Sequence, residues 1–451
     1  MKKRLYQLLC LLTMVFFLLI FVQGRWHPFA VKPLDGVTEA APRPTVNKAG
    51  FMSGKLQEEM EQYSRENFGF RELFIRAYNQ YLWDCYNQTD VQSILIGKKH
   101  YLYNTEFIED YKGELWKRFA PDFETLESNL WREARRLKKA QDLLAERGKQ
   151  LFVIMEPSKV RVYPEYLPDN VVSPAGNLTA ADLYPDILDS LGVHYINFDQ
   201  WFQQARDSVP YQLYPQLGTH WTNIAALHAT DSILHFMEAL GHITLPRLDI
   251  SETLFDTTMV HDDDLERLLN LAWSNRELPN QYAKYDIISD SGAVHPSWLV
   301  VGDSYFWNIA HHIPLDQIFS HYHFWYYNSS VFFDPKHTST CQVNLYDELM
   351  DTDFVTVAYC TANLYAMSNL FSAKAIVSLC KSQEEIDRKI NGIKEAMRNT
   401  PEWLSSLQDK ADAQGLPIET VMQNDAEYML YSNVENHFPD VFQQIENKNT
   451  P

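Results

Sequence analysis

Apolar residues along this chain follow two alternating patterns. Residues 121–147 carry Leu126, Leu130, Leu137 and Leu144 at helical spacing, with Gly148 ending the run. Helices are also predicted over 180–191, ended by Gly192, and over 222–240, ended by Gly241. Short strands are predicted at 151–155, 193–198, 298–302 and 354–359, and the runs at 298–302 and 354–359 read as buried. Strands alternating with helices of this length predict an α/β domain, a parallel sheet with helices on both faces. In such sheets reactive loops gather at the carboxyl ends of the strands.

The flanking segments differ. Lys2, Lys3 and Arg4 precede an uncharged run rich in Leu, Phe and Val from Tyr6 to Val22. That pattern belongs to an export signal. Its length and the lack of an alanine-rich cleavage region favour an uncleaved signal-anchor over a cleaved signal peptide, spanning residues 1–24. The body is therefore expected outside the cytoplasm. Residues 25–54, rich in Pro, Gly and Thr in their first part, read as a linker. Residues 55–83 read as helical with an interruption at 67–71, and 93–103 as two short strands around a turn at 97–99. We expect one folded domain over 55–380 and a helical C-terminal extension over 381–451, broken at Pro401 and at Gly415-Leu416-Pro417.

Composition narrows the chemistry. A formal net charge of -20 over 451 residues argues against nucleic acid, whose phosphates want a basic face. No glycine-rich phosphate loop is present, and no cofactor is expected. Cys85, Cys341, Cys360 and Cys380 lack the CxxC spacing of zinc or redox sites, leaving a disulfide or buried thiols open. His311, His312, His321 and His323 lack clear metal-ligand spacing, so no metal is expected.

Two motifs carry candidate chemistry. Gly302-Asp303-Ser304-Tyr305 follows the strand run at 298–302, where a turn into a helix can expose a serine hydroxyl beside free backbone N–H groups. Gly218-Thr219-His220-Trp221-Thr222 supplies a histidine at a helix start. Ser304 is thus the candidate nucleophile and His220 the candidate general base. Asp303 is expected to organise the turn or to act as a supporting acid. Asp262, Asp263 and Asp264 can bring a carboxylate nearby, but their expected task is to cap a helix starting at Leu265. Trp221, Lys159 and Tyr305 are candidate substrate-binding residues, with Tyr163 and Glu165 as further pocket-lining candidates. The aromatic run 324–327 reads as core or as a sugar-stacking strip.

At these residues the chain resembles the SGNH hydrolase-like family of alginate O-acetylation proteins (AlgX and AlgJ type). The resemblance includes the segments 67–71, 96–103, 157–159, 163–165, 219–221, 264–265 and 302–304. It implies an SGNH hydrolase-like sheet in circularly permuted motif order, with the histidine motif ahead of the serine. It also implies a bacterial, extracytoplasmic or periplasmic protein, anchored to the inner membrane, that moves acetyl groups onto an exopolysaccharide. The implied acetyl donor is a membrane-bound O-acyltransferase. The family's aspartate, two residues before its histidine, maps onto Gly218. The expectation from this departure is a Ser–His dyad in which a backbone carbonyl orients the imidazole. O-acetyl transfer through a serine ester is the leading expectation. A carbohydrate acetyl esterase and a catalytically weak polysaccharide-binding scaffold are the alternatives.

Overall fold

A computed structural model describes residues 2–36, 40–173, 178–257 and 262–446. Its strands are β1 (Ile94–Ile96), β2 (Leu102–Asn104), β3 (Gln150–Glu156), β4 (Tyr195–Asn197), β5 (Arg247–Asp256), β6 (Gln281–Ile288), β7 (Ser297–Gly302), β8 (His321–Tyr326), β9 (Ser330–Phe332) and β10 (Phe354–Cys360). Six of them form one sheet in the order β4-β3-β10-β7-β8-β9. All neighbours in it are parallel except the β8–β9 pair. The expected α/β sheet is therefore present, and the four predicted strands fall on β3, β4, β7 and β10.

Period-two alternation sends the central strands' side chains to two separate cores. Leu151, Val153, Met155, Leu299, Val301, Val355 and Val357 face the helices Phe123–Ala145, Ala180–Leu191 and Phe371–Cys380. Phe152, Ile154, Trp298, Val300, Phe354 and Ala358 face the helices Phe198–Ala205, Asn223–Gly241 and Phe306–His312. Burial on both faces explains why these strands read as continuous apolar runs instead of alternating ones.

The C-terminal helices, from Gln383–Asn399 onward, extend the first core through Ile386, Ile390, Met397, Leu407, Val421 and Leu430. A buried Arg136 guanidinium on the helix Phe123–Ala145 donates to both oxygens of Glu435 at 2.7 Å, tying the tail to the sheet domain. At the other end, the residues read as linker include a short helix, Lys48–Ser53, and the apolar N-terminal run is a single helix, Lys2–Trp26. The interrupted segment divides into the helices Lys55–Glu66 and Arg71–Tyr86. All five cysteines are free thiols, Cys360 alone being buried.

The central strands pack tightly at their carboxyl ends. A Cβ built on Gly302 would lie 2.4 Å from the carbonyl oxygen of Ala358 on β10, backbone that cannot give way. Only glycine lets β7 end at this height beside β10. Gly302→Ala is expected to lower folding stability by about 1–3 kcal/mol through overpacking, read as a shift in the urea midpoint. An unchanged midpoint would mean that the strand end is looser than its packing indicates.

Candidate active site

β7 ends at Gly302, and the chain turns through Asp303 and Ser304 into the helix Phe306–His312. Asp303 is fully buried and spends its carboxylate on that turn. Its Oδ1 accepts from the Tyr305 N–H at 3.1 Å, and its Oδ2 accepts from the Cys360 N–H at 2.9 Å and Asn363 Nδ2 at 2.7 Å. Of its two expected roles Asp303 therefore takes the first. It joins the ends of β7 and β10 and leaves the half-buried Ser304 as the residue at the apex.

The histidine loop is built around Lys159. Its ammonium is buried and donates to three carbonyls, those of Leu102 at 2.9 Å, Gln216 at 2.8 Å and Gly218 at 2.9 Å. Three N–H donors meeting three acceptors leave nothing for a ligand. Lys159 thus fastens the loop 216–218 to β2, which corrects its expectation as a substrate contact. Trp221 and Tyr305 need the same correction. Trp221 is fully buried, with its Nε1 donating to the Tyr305 carbonyl at 3.2 Å and its ring edge-on to Phe198. Tyr305 is buried as well, and its hydroxyl donates to the Thr219 carbonyl at 3.2 Å. Asn308 Nδ2 donates to the Trp221 carbonyl at 2.8 Å. These contacts stitch the histidine loop to the serine turn.

Tyr163 and Glu165 are also committed elsewhere. The Tyr163 hydroxyl accepts from the Leu213 N–H at 3.0 Å, and Glu165 pairs with Arg206. Phe324 and Trp325 on β8 are core residues, while Tyr327 donates its N–H to the Gly302 carbonyl at 2.8 Å. His323 pairs with Glu348 at 2.7 Å, and among the described residues no group of three or more His, Cys, Asp or Glu is arranged to hold a metal.

The stitched loops bring His220 Nε2 to 2.9 Å from Ser304 Oγ, across 84 residues of sequence. On the other side of the imidazole, Nδ1 lies 3.0 Å from Asp264 Oδ2. The expectation of a backbone carbonyl behind the imidazole is overturned, because a carboxylate occupies that position. Asp264 starts the short helix Asp264–Leu269 between β5 and β6. Its Oδ1 accepts from the Thr219 N–H at 2.8 Å and the Leu265 N–H at 3.0 Å, so one carboxylate holds both the backbone and the ring of the histidine loop. The Glu266 N–H donating to the Leu217 carbonyl at 3.2 Å adds a second tie. The acid absent at Gly218 is supplied 46 residues later by numbering, from the far side of the loop. The local signals were the Asp262–Asp264 run, whose capping potential masked the role, and the resemblance at 264–265. Asp263, the residue ahead of that helix, makes no side-chain cap bond.

The Asp264 carboxylate 3.0 Å from Nδ1 favours the neutral His220 tautomer that carries its proton there. Nε2 then presents its lone pair to the serine hydroxyl. Beneath the turn, Glu156 ends β3 fully buried. Burial first, then the charge of Asp303 and a hydrogen bond to it, raise the Glu156 carboxyl well above its ordinary value. A carboxyl raised in this way keeps its proton to higher pH than an exposed one and, while protonated, can donate to Asp303. A raised folded-state pKa gives stability that is complete below the unfolded value of 4.5 and lost as pH rises through the folded one. Wild-type protein is accordingly expected to lose urea resistance as pH rises above 4.5. Glu156→Gln, which keeps a donor facing Asp303, should flatten that dependence. Parallel slopes for the two proteins would refute the shared proton.

Residues 114–306 match the family model of the "SGNH hydrolase-like domain, acetyltransferase AlgX". No curated protein matches the chain. Among solved structures, the chain is similar to the O-acetyltransferase domain of Pseudomonas putida AlgJ, at 15% identity over 60% of this chain and 92% of that one, with a TM-score of 0.41. Similarity to Pseudomonas aeruginosa AlgX covers 63% of this chain and 66% of that one, at 14% identity and a TM-score of 0.43. For Bacillus cereus PatB1 with a sulfonyl adduct the values are 53%, 91%, 14% and 0.33. The resemblance read from the motifs is borne out over the matched stretch: residues 114–306, which include His220, Asp264 and Ser304, match the model of an SGNH hydrolase-like domain, acetyltransferase AlgX.

Proposed function

We propose that this protein is an extracytoplasmic O-acetyltransferase that acylates a polysaccharide through an ester on Ser304. The observation carrying this reading is the continuous relay from Ser304 Oγ through His220 to the Asp264 carboxylate, at 2.9 and 3.0 Å. The matched acetyltransferase model supports the choice of acyl group.

In the first half-reaction Ser304 Oγ attacks the acetyl carbonyl carbon while His220 Nε2 takes the hydroxyl proton. Asp264 keeps the imidazole in the required tautomer and stabilises its cation, without itself accepting the proton. The Ser304 N–H, which donates to no protein acceptor among the described residues, is a candidate donor to the oxyanion. Collapse of the tetrahedral intermediate expels the donor's leaving group, which takes the proton from Nε2. In the second half-reaction a sugar hydroxyl gives its proton to Nε2 and attacks the serine ester. The acetylated sugar leaves, and Ser304 recovers its proton.

The N-terminal helix Lys2–Trp26 has the length and apolarity to cross a bilayer. At about 1.5 Å per residue it covers the hydrocarbon thickness. It supports an anchor in the inner membrane, with the domain held on the extracytoplasmic side. That position suits an acetyl donor delivered by a membrane-bound O-acyltransferase.

Ser304→Ala is expected to abolish release of acetate from a chromogenic acetyl ester. Asp264→Asn should lower kcat by about 10²–10⁴-fold, since the amide favours the wrong tautomer. Wild-type turnover in Ser304→Ala would sink the mechanism. With an oligosaccharide acceptor present, mass spectrometry should find acetylated sugar at the expense of free acetate. Acetate alone, at an undiminished rate, would make the protein an esterase.

A further inference from the structure

The helix Arg71–Tyr86 buries polar side chains and exposes aromatic ones along most of its length. Its inward face carries Trp83 in a small core, but ahead of Trp83 its buried side chains are polar: Arg76 and Gln80 are buried to 8% and 3% exposure, beside Asn79. Arg76 donates to the carbonyls of Lys32 at 2.9 Å and Pro33 at 2.7 Å, and Asn79 donates to the Leu269 carbonyl at 2.7 Å. Gln80 accepts from the Ala272 N–H at 3.1 Å. Its outward face carries Phe74, Tyr78, Tyr81 and Cys85 at steps of four, three and four residues, one stripe of a helix. The first three are 38%, 51% and 51% exposed, and Leu73 beside them 50%. A helix in water turns its apolar stripe to the core and its polar side outward. The reverse arrangement fits an apolar medium on the outside.

The neighbour of this stripe identifies the medium. The N-terminal helix Lys2–Trp26 is exposed and apolar along its length, and it touches the body here. The Phe16 ring lies edge-on to Phe74 with centroids 6.0 Å apart. A Cβ on Gly69 would lie 2.1 Å from the Ile20 carbonyl, so the two backbones meet directly. The apolar surface of the membrane helix thus continues onto the stripe. Aromatic rings with polar tips, such as Tyr78 and Tyr81, suit the boundary between headgroups and hydrocarbon.

We propose that the Arg71–Tyr86 helix lies in the surface of the lipid bilayer entered by the N-terminal helix, its Phe74–Tyr78–Tyr81–Cys85 stripe against lipid. The inference rests on the anchor reading above. Its consequence reaches the candidate site. The polar face bonds to Leu269 and Ala272, at the end of the short helix that begins with Asp264. The membrane surface and the acid behind His220 are therefore joined through one rigid element, which fixes the height of Ser304 above the lipid.

The test uses native cysteines in the full-length chain, reconstituted in phosphatidylcholine–phosphatidylglycerol vesicles. Cys10, Cys85 and Cys341 are exposed and are spin-labelled one at a time, the other exposed cysteines being replaced by serine. Collision rates with oxygen and with a nickel chelate are then compared. Cys85 should give an oxygen-to-nickel ratio several-fold above that of Cys341, approaching that of Cys10. Tyr78→Cys, labelled in the same way, should agree. A lipid-like Cys10 with a Cys85 ratio equal to that of Cys341 would overturn the docking while leaving the anchor intact. A water-like Cys10 would remove the anchor and the docking together. Shielding of Cys85 from both reagents, with dipolar broadening, would give the stripe to a second copy of this chain and overturn lipid as its occupant.

Discussion

The arrangement around Ser304 depends on one carboxylate. Asp264 accepts the Thr219 and Leu265 N–H groups on Oδ1 and faces His220 Nδ1 with Oδ2. Bonds from backbone donors fix its direction, and with it the orientation of the imidazole towards Ser304. Remove that carboxylate and the loop 217–220 loses its tie at Thr219 and the partner of its ring. The β5–β6 ribbon that brings Asp264 in owes much of its importance to this single group.

Around that carboxylate the fold uses buried charge as fastening. Lys159 gathers three carbonyls and pins the histidine loop to β2, while Asp303 gathers three donors and pins the serine turn to β10. Each ion is costly to bury and would be destabilising if left unpaired. Fully bonded, each sets a loop in one position. The two loops then meet through Trp221, Tyr305 and Asn308, groups that resemble ligand contacts in sequence and serve as packing in space.

The same economy appears at the helix Arg71–Tyr86. The polar face of Arg71–Tyr86 is spent on backbone carbonyls of the segment after Asp264, leaving its aromatic face outward. On the proposed reading, placement relative to the bilayer and support of Asp264 are two faces of one helix.

Local pattern was enough for the sheet, because runs such as 298–302 and 354–359 are apolar on both faces and have no other soluble solution. Local pattern also marked Ser304 and His220, which the structure brings to 2.9 Å of each other, since a strand-end turn and a helix-start loop each show themselves within five residues. It did not yield β5 and β6, which carry charges at Asp249, Lys284 and Asp286 and pair only with each other. For the same reason it did not yield the role of Asp264: an aspartate at a helix start looks like a cap wherever it occurs. Nor could it tell that Lys159, Trp221 and Tyr305 are consumed internally, because their partners are carbonyls at positions 57 to 86 residues distant. Periodicity and turn chemistry are encoded by neighbours in the chain. Which carboxylate stands behind a histidine is decided only when two distant loops are packed against each other.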